Sequence, residues 1–205
     1  MVLLKISIYD LIMKTYFTAD PHYGHSNIIK YCKRPFSNVS EMNESMIANW
    51  NNVVQNDDDL VYILGDFCNY RDNRSAGIFH RLRGRKILII GNHDYENHTT
   101  LNLPWEKIAD YLEVVVDHQR LVLQHYPLMT WNKIGKGALQ LYGHLHGRLP
   151  GTDKAQDVGV DVFGFKPVSL QDIMRRMRRN PAHPRLPLVN DNNEDNLSLT
   201  SRPRP

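Results

Sequence analysis

Five clusters of Asp, His and Asn each begin directly after a short apolar run, and this alternation limits what the chain can fold into. Asp20-Pro21-His22-Tyr23-Gly24-His25 follows residues 15–19, Gly65-Asp66-Phe67 follows 60–64, and Gly91-Asn92-His93-Asp94 follows 86–90. His125-Tyr126-Pro127 follows 120–124, and Gly143-His144-Leu145-His146-Gly147 follows 139–142. Short runs rich in β-branched residues read as strands rather than buried helix. Residues 114–116 and 158–162 have the same look. Helical spacing appears in three other places. One helix starts near Asn38, which pairs with Glu41 as a capping box and puts Met42, Met46, Trp50 and Val53 on one face. A second covers about residues 74–82 and stops at Gly84; a third starts at Ser169, with Asp172 three residues on, and runs through Ile173 and Met177. Early strands separated by helices predict βαβ units, and residues 117–120 predict a hairpin. The sum is a mixed α/β sandwich.

Composition excludes several classes. Of the 205 residues, 41% are hydrophobic, enough for one sizeable core and too many for a wholly disordered chain. Apolar stretches such as residues 87–90 are far shorter than the roughly 18–20 residues of a membrane span. Two cysteines, Cys32 and Cys68, make no disulfide framework, and no signal peptide precedes them, which predicts a reducing, cytoplasmic setting. Residues 171–205 hold seven Arg and four acids, which supply the whole net charge of +3. The body is therefore neutral and has no net basic charge drawing it to nucleic acid. One domain over residues 13–179 is expected. Residues 1–12 read as a weakly anchored extension, with Met13 a second candidate start. The Pro/Asn/Asp-rich stretch 180–205 reads as a disordered tail.

Taken singly, each polar cluster is a turn or a helix cap. Taken together they lie in one structural context, beyond the carboxyl ends of strands, where open α/β sheets bind ligands. Asp20, His22, Asp66, Asn92, His125, His144 and His146 make seven candidate metal ligands, more than one ion needs. Two ions roughly 3.5–4 Å apart, sharing a carboxylate, would use them all. Oxygen and imidazole ligands without thiolate favour Mn²⁺, Fe or Zn²⁺. On an extended segment His144 and His146 would point the same way.

The order Asp-x-His, Gly-Asp, Gly-Asn-His-Asp, His, Gly-His-x-His resembles the calcineurin-like metallophosphoesterase superfamily over about residues 14–170. Arg34-Pro35-Phe36 adds a likeness to its small bacterial and phage members. The resemblance implies a four-layer αββα sandwich of two mixed β-sheets and a dinuclear metal centre. It assigns Asp20, His22 and His146 to one ion, Asn92, His125 and His144 to the other, and Asp66 to both. It also makes His93 the proton donor to the leaving oxygen. Asp94 is expected to orient that imidazole, and His25 and Arg34 are candidates for holding the substrate phosphate. Cys68 and Tyr142 read as packing, Asp57 to Asp59 as a solvated turn, and Asp157 and Asp161 as turn or surface residues. The Arg-rich stretch 175–179 reads as a solvated helix face.

The expected activity is metal-dependent phosphoester hydrolysis by hydroxide generated between two cations, on a small substrate and with a diester favoured. A nuclease, a protein or phosphomonoester phosphatase, and a catalytically silent scaffold are the alternatives. The presence of His93 and all seven ligands argues against the scaffold.

Overall fold

The computed structural model describes residues 13–184. The expected extension at residues 1–12, and residues 185–205 of the tail expected from 180 on, lie outside the described residues. Two mixed sheets face one another, flanked by helices. In the first, the strand order is β4-β3-β2-β1-β9. Strands β1 (Thr15–Thr18), β2 (Leu60–Leu64), β3 (Arg85–Ile89) and β4 (Lys107–Ala109) run parallel, and β9 (Val168–Ser169) is antiparallel to β1. The second sheet has the order β5-β6-β7-β8. Its strands are β5 (Tyr111–Val116), β6 (Gln119–Gln124), β7 (Leu139–Tyr142) and β8 (Ala155–Asp157). The β5/β6 pair is the expected hairpin, closed by Asp117 and His118 with φ of 47° and 64°, the left-handed pair that a tight two-residue turn needs.

Period-two alternation along the strands divides the core into layers. Val61, Ile63 and Leu88 face outward from the first sheet. They pack with Ile28 of α1 (Ser26–Tyr31), Met42, Met46 and Trp50 of α2 (Val39–Val53), and Ile78 and Phe79 of α3 (Asn73–Arg81). Phe17, Leu64, Ile87 and Ile89 face the other way, against Leu121, Leu123 and Leu141 of the second sheet. Ile173 and Met177 of α5 (Leu170–Met177) join this middle layer. On the far face of the second sheet, Val122 and Tyr142 pack with Trp131, beside a 3-10 turn at Ile134–Lys136.

Local signals explain the helix starts. The Asn38 side chain accepts the Glu41 backbone N–H, and Glu41 reaches back to the Ser37 N–H. Ser169 accepts from the Asp172 N–H in the same way. The short α4 (His98–Leu101), not among the three expected helices, starts at Asn97, whose side chain accepts the Thr100 N–H.

Two expectations are corrected. The strand expected at residues 158–162 lies earlier, at Ala155–Asp157; residues 158–162 form a turn whose Gly159 bridges Ala19 at the end of β1. Asp59 is buried rather than solvated, because its carboxylate accepts the backbone N–H groups of Lys14 and Asn56. Past residue 179 the chain still contacts the domain. The Asn180 side chain donates to Thr152 O and Gln156 Oε1, and His183 N donates to Asp153. Asn180→Ala should therefore cost about 1 kcal/mol of stability, the net worth of such hydrogen bonds. Urea denaturation that shows no change would mean this segment only rests on the domain.

Candidate metal centre

All five polar clusters converge at one end of the two sheets, because the loops that carry them are stitched to one another. Asp20 N donates to Gly65 O, His22 N to Asp66 O and Tyr23 N to Phe67 O, so the first two loops extend the β1/β2 pairing past the strands. Gly143 N donates to His125 O, which does the same for β6 and β7. The approach is close. A Cβ on Gly65 (φ 91°) would strike His125 and the Gly91 backbone, and one on Gly143 would strike Asp20 and Ala19.

Five of the seven candidate ligands have left-handed backbone: Asp20 (φ 55°), His22 (52°), Asp66 (56°), His144 (69°) and His146 (50°). Such conformations are rare for non-glycine residues and gather at functional sites. They also correct the expectation of an extended His144–His146 segment. Leu145 N donates to Gly143 O in a tight turn, and the two imidazoles join different triads. Asp20, His22 and His146 form one triad of candidate ligand atoms within 4.8 Å, and Asp66, His125 and His144 form a second; His22, Asp66 and His93, and Cys32, His146 and Asp161, meet the same distance. Asp66 Oδ2 lies 3.5 Å from His22 Nε2 and 3.6 Å from His125 Nε2, between the two. Asn92 Oδ1 is 3.1 Å from His125 Nε2 and 3.0 Å from His144 Nδ1.

Burial governs the protonation of these groups. Burial, and then the neighbouring His146 and Arg34, hold the His22 imidazole well below its ordinary pKa. Burial likewise lowers His125 and His144, so these rings are neutral at pH 7 and offer lone pairs. His125 Nδ1–H donates to Leu64 O, which leaves its Nε2 as the lone-pair nitrogen. Burial, then Asp66 and Asp157, push Asp20 well above the usual carboxylate range.

The remaining candidates divide. His93 is exposed, with its ring 5.1 Å from that of His22 and 5.9 Å from that of His25. His25 is the N-cap of α1 but makes no side-chain cap, and its Nδ1 is buried without a partner. Both therefore stand at the site. Asp94 does not orient His93. Its buried carboxylate accepts the backbone N–H groups of Asp66, Gly91 and Phe67, and His93 is linked to the cluster through its own N–H, which donates to Asp66 Oδ1. Burial pushes Asp94 up to about 6, against the pull of these hydrogen bonds. Arg34 does not face the substrate space either. Its side chain is 0% exposed, and all five of its N–H donors are engaged inside the protein. Asp157 and Asp161, read from the sequence as turn or surface residues, are buried beside the site instead. The signal that could have found them was available. Both flank the apolar Val158-Gly159-Val160, and a carboxylate within a buried run needs a partner.

The calcineurin-like phosphoesterase family model matches residues 13–179, and the chain belongs to that family. Membership makes it a phosphoester hydrolase by class. The chain is 34% identical over 176 residues to an uncharacterized protein of Methanocaldococcus jannaschii, covering 81% of this chain and 92% of that protein. It is 27% identical over 164 residues to the gene 66 protein of Mycobacterium phage L5, covering 64% of this chain and 77% of the phage protein. A solved protein of unknown function from Aquifex aeolicus superposes with a TM-score of 0.64 at 25% identity, over 80% of this chain and 99% of that one. Among the described residues no helix is long and apolar enough to cross a membrane.

Asp94 ties the Asp66 loop to the Gly91 loop, so its loss should be felt in stability before chemistry. Asp94→Asn removes one acceptor oxygen and sets an NH₂ against backbone N–H groups. Chemical denaturation should show a loss of about 2–3 kcal/mol, and unchanged stability would contradict the tie.

Proposed function

We propose that the chain is a metal-dependent phosphodiesterase with two divalent transition-metal ions, Mn²⁺ first among Mn²⁺, Fe and Zn²⁺. Asp20, His22 and His146 would hold one ion, Asn92, His125 and His144 the other, and Asp66 both. The observation that carries this reading is the set of lone pairs turned toward one another around Asp66. With His125 Nδ1–H spent on Leu64 O, its neutral Nε2 faces Asn92 Oδ1 at 3.1 Å, acceptor against acceptor. His22 Nε2 is buried with no hydrogen-bond partner and faces Asp66. Such contacts call for a cation between the groups, and a proton is disfavoured because burial lowers both imidazoles. The count of two is supported by Asp66, whose Oδ2 lies between His22 of one triad and His125 of the other.

Divalent cations in these positions would neutralise charge on a phosphoryl group and would make hydroxide available near neutral pH. The chain's own residues do the rest. His93 presents an exposed imidazole at the edge of the cluster and delivers a proton to the leaving oxygen. Its place is set by the Asp66–Asp94 hydrogen bonds beneath it. His25, beside His93, contributes a second imidazole to the phosphate side. The withdrawal of Arg34 into the protein favours a diester, which carries one negative charge, over a monoester, whose near-dianion calls for several fixed cations.

With Mn²⁺ present, kcat/KM for bis-(p-nitrophenyl) phosphate should exceed that for p-nitrophenyl phosphate. A clear advantage for the monoester would overturn the diester preference and leave the phosphoesterase class in place. His93→Ala should retain its metals and lose about 10²–10⁴-fold on diesters with alkoxide leaving groups, the usual worth of a positioned proton donor. The loss should be much smaller with nitrophenolate, which leaves without a proton. Equal losses on both would remove His93 from that role.

A further inference from the structure

Arg34 and Asp161 lie 127 positions apart and form the one buried charged pair behind the first triad among the described residues. The Arg34 fork is bidentate on Asp161, with Nε to Oδ1 and Nη2 to Oδ2, each at 2.8 Å. Its remaining donors reach Asp20 O at 2.8 Å, Pro21 O at 2.9 Å and Met42 Sδ at 3.5 Å. Asp161 Oδ2 also accepts a hydrogen bond from His146 Nδ1 at 2.8 Å. One guanidinium thus touches the backbone that turns left-handed at Asp20 and His22 and, through one carboxylate, the third member of the same triad. A buried ion pair is weak evidence of a stabilising role, since its desolvation offsets its attraction. Its placement here serves geometry.

Resting on the reading of the cluster as a metal centre, we propose that Arg34 and Asp161 are positioning residues for the Asp20–His22–His146 site alone. Asp161 holds His146 as the Nδ1–H tautomer, so that Nε2 carries the free lone pair, and Arg34 holds Asp161. Carboxylates that orient ligating imidazoles in this way change metal affinity when removed. Asp161 stands with Cys32 and His146 in another group of ligand-type atoms within 4.8 Å, but both of its oxygens are engaged by Arg34 and His146, which leaves it the role of an orienting carboxylate. The second triad is oriented differently: His125 uses the Leu64 carbonyl and has no contact with this pair.

Asp161→Asn separates the roles. In either orientation its NH₂ confronts an Arg34 N–H; turned toward His146 it also donates to Nδ1 and moves the ring proton onto Nε2. The first measurement is the imidazole ¹⁵N spectrum of the metal-free full chain. Wild-type His146 should be the Nδ1–H tautomer, and Asp161→Asn should shift it toward Nε2–H. The second is Mn²⁺ titration calorimetry. Asp161→Asn should weaken one of two binding steps by roughly 10- to 100-fold and leave the other unchanged, and Arg34→Lys, which keeps the charge and loses the fork, should weaken the same step less. An Nε2–H tautomer for His146 in the wild-type chain overturns the proposal even if neither variant folds. So does a folded Asp161→Asn chain whose two binding steps both match wild type, or weaken together. A wild-type chain that binds no Mn²⁺ would defeat the metal reading itself, while the tautomer would still report on Asp161.

Discussion

The cluster at the sheet ends is held together against its own charge. Carboxylates taken out of water repel one another, and each needs a proton, a donor or a cation. The chain meets this need locally wherever it can. Asp94 takes three backbone N–H groups, and Asp157 takes those of Gly147 and Gly159. Asp161 takes the guanidinium of Arg34. Among the described residues, Asp20 accepts only the His144 N–H, and Asp66 only the His93 N–H. The least satisfied carboxylates are thus the two that stand among the imidazoles. Burial, with Asp66 and Asp157 next in effect, raises Asp20, whereas burial lowers the rings around it; a divalent ion would draw Asp20 back down and press the imidazoles further toward their neutral, lone-pair form.

The fold makes this arrangement possible by ending its strands together. Loop-to-loop hydrogen bonds carry the β1/β2 and β6/β7 pairings past the last strand residues, and left-handed turns then swing the side chains inward. The backbone strain of those turns is offset by the core below, where Phe17, Leu64, Leu123 and Leu141 are fully buried between the sheets. Positions are therefore set by rigid strands, and His93 and Asn92 stand exposed at the rim.

Much of this was legible in the sequence. The strand–cluster alternation announced the α/β sandwich and drew the seven ligand candidates together, because period-two burial and glycine-marked turns are local signals. What was not legible depended on long-range pairing. Arg34 in an Arg-Pro-Phe turn carries no mark that its fork is spent on Asp161, and adjacency of His93 and Asp94 suggested a contact that the backbone directs elsewhere. Residues 158–162 misled in the same way. Their apolar alternation came from burial beneath the site, not from pairing in a sheet.

The central claim is that Asp66 joins two metal sites. The most direct test is the number of Mn²⁺ ions bound per chain in wild type and Asp66→Asn, measured by metal analysis after equilibrium dialysis and with folding checked by circular dichroism. The account predicts two ions for wild type and weakened binding of both in the variant. A single ion in a fully active wild-type chain, or a folded Asp66→Asn chain that still binds two ions as tightly, would contradict it.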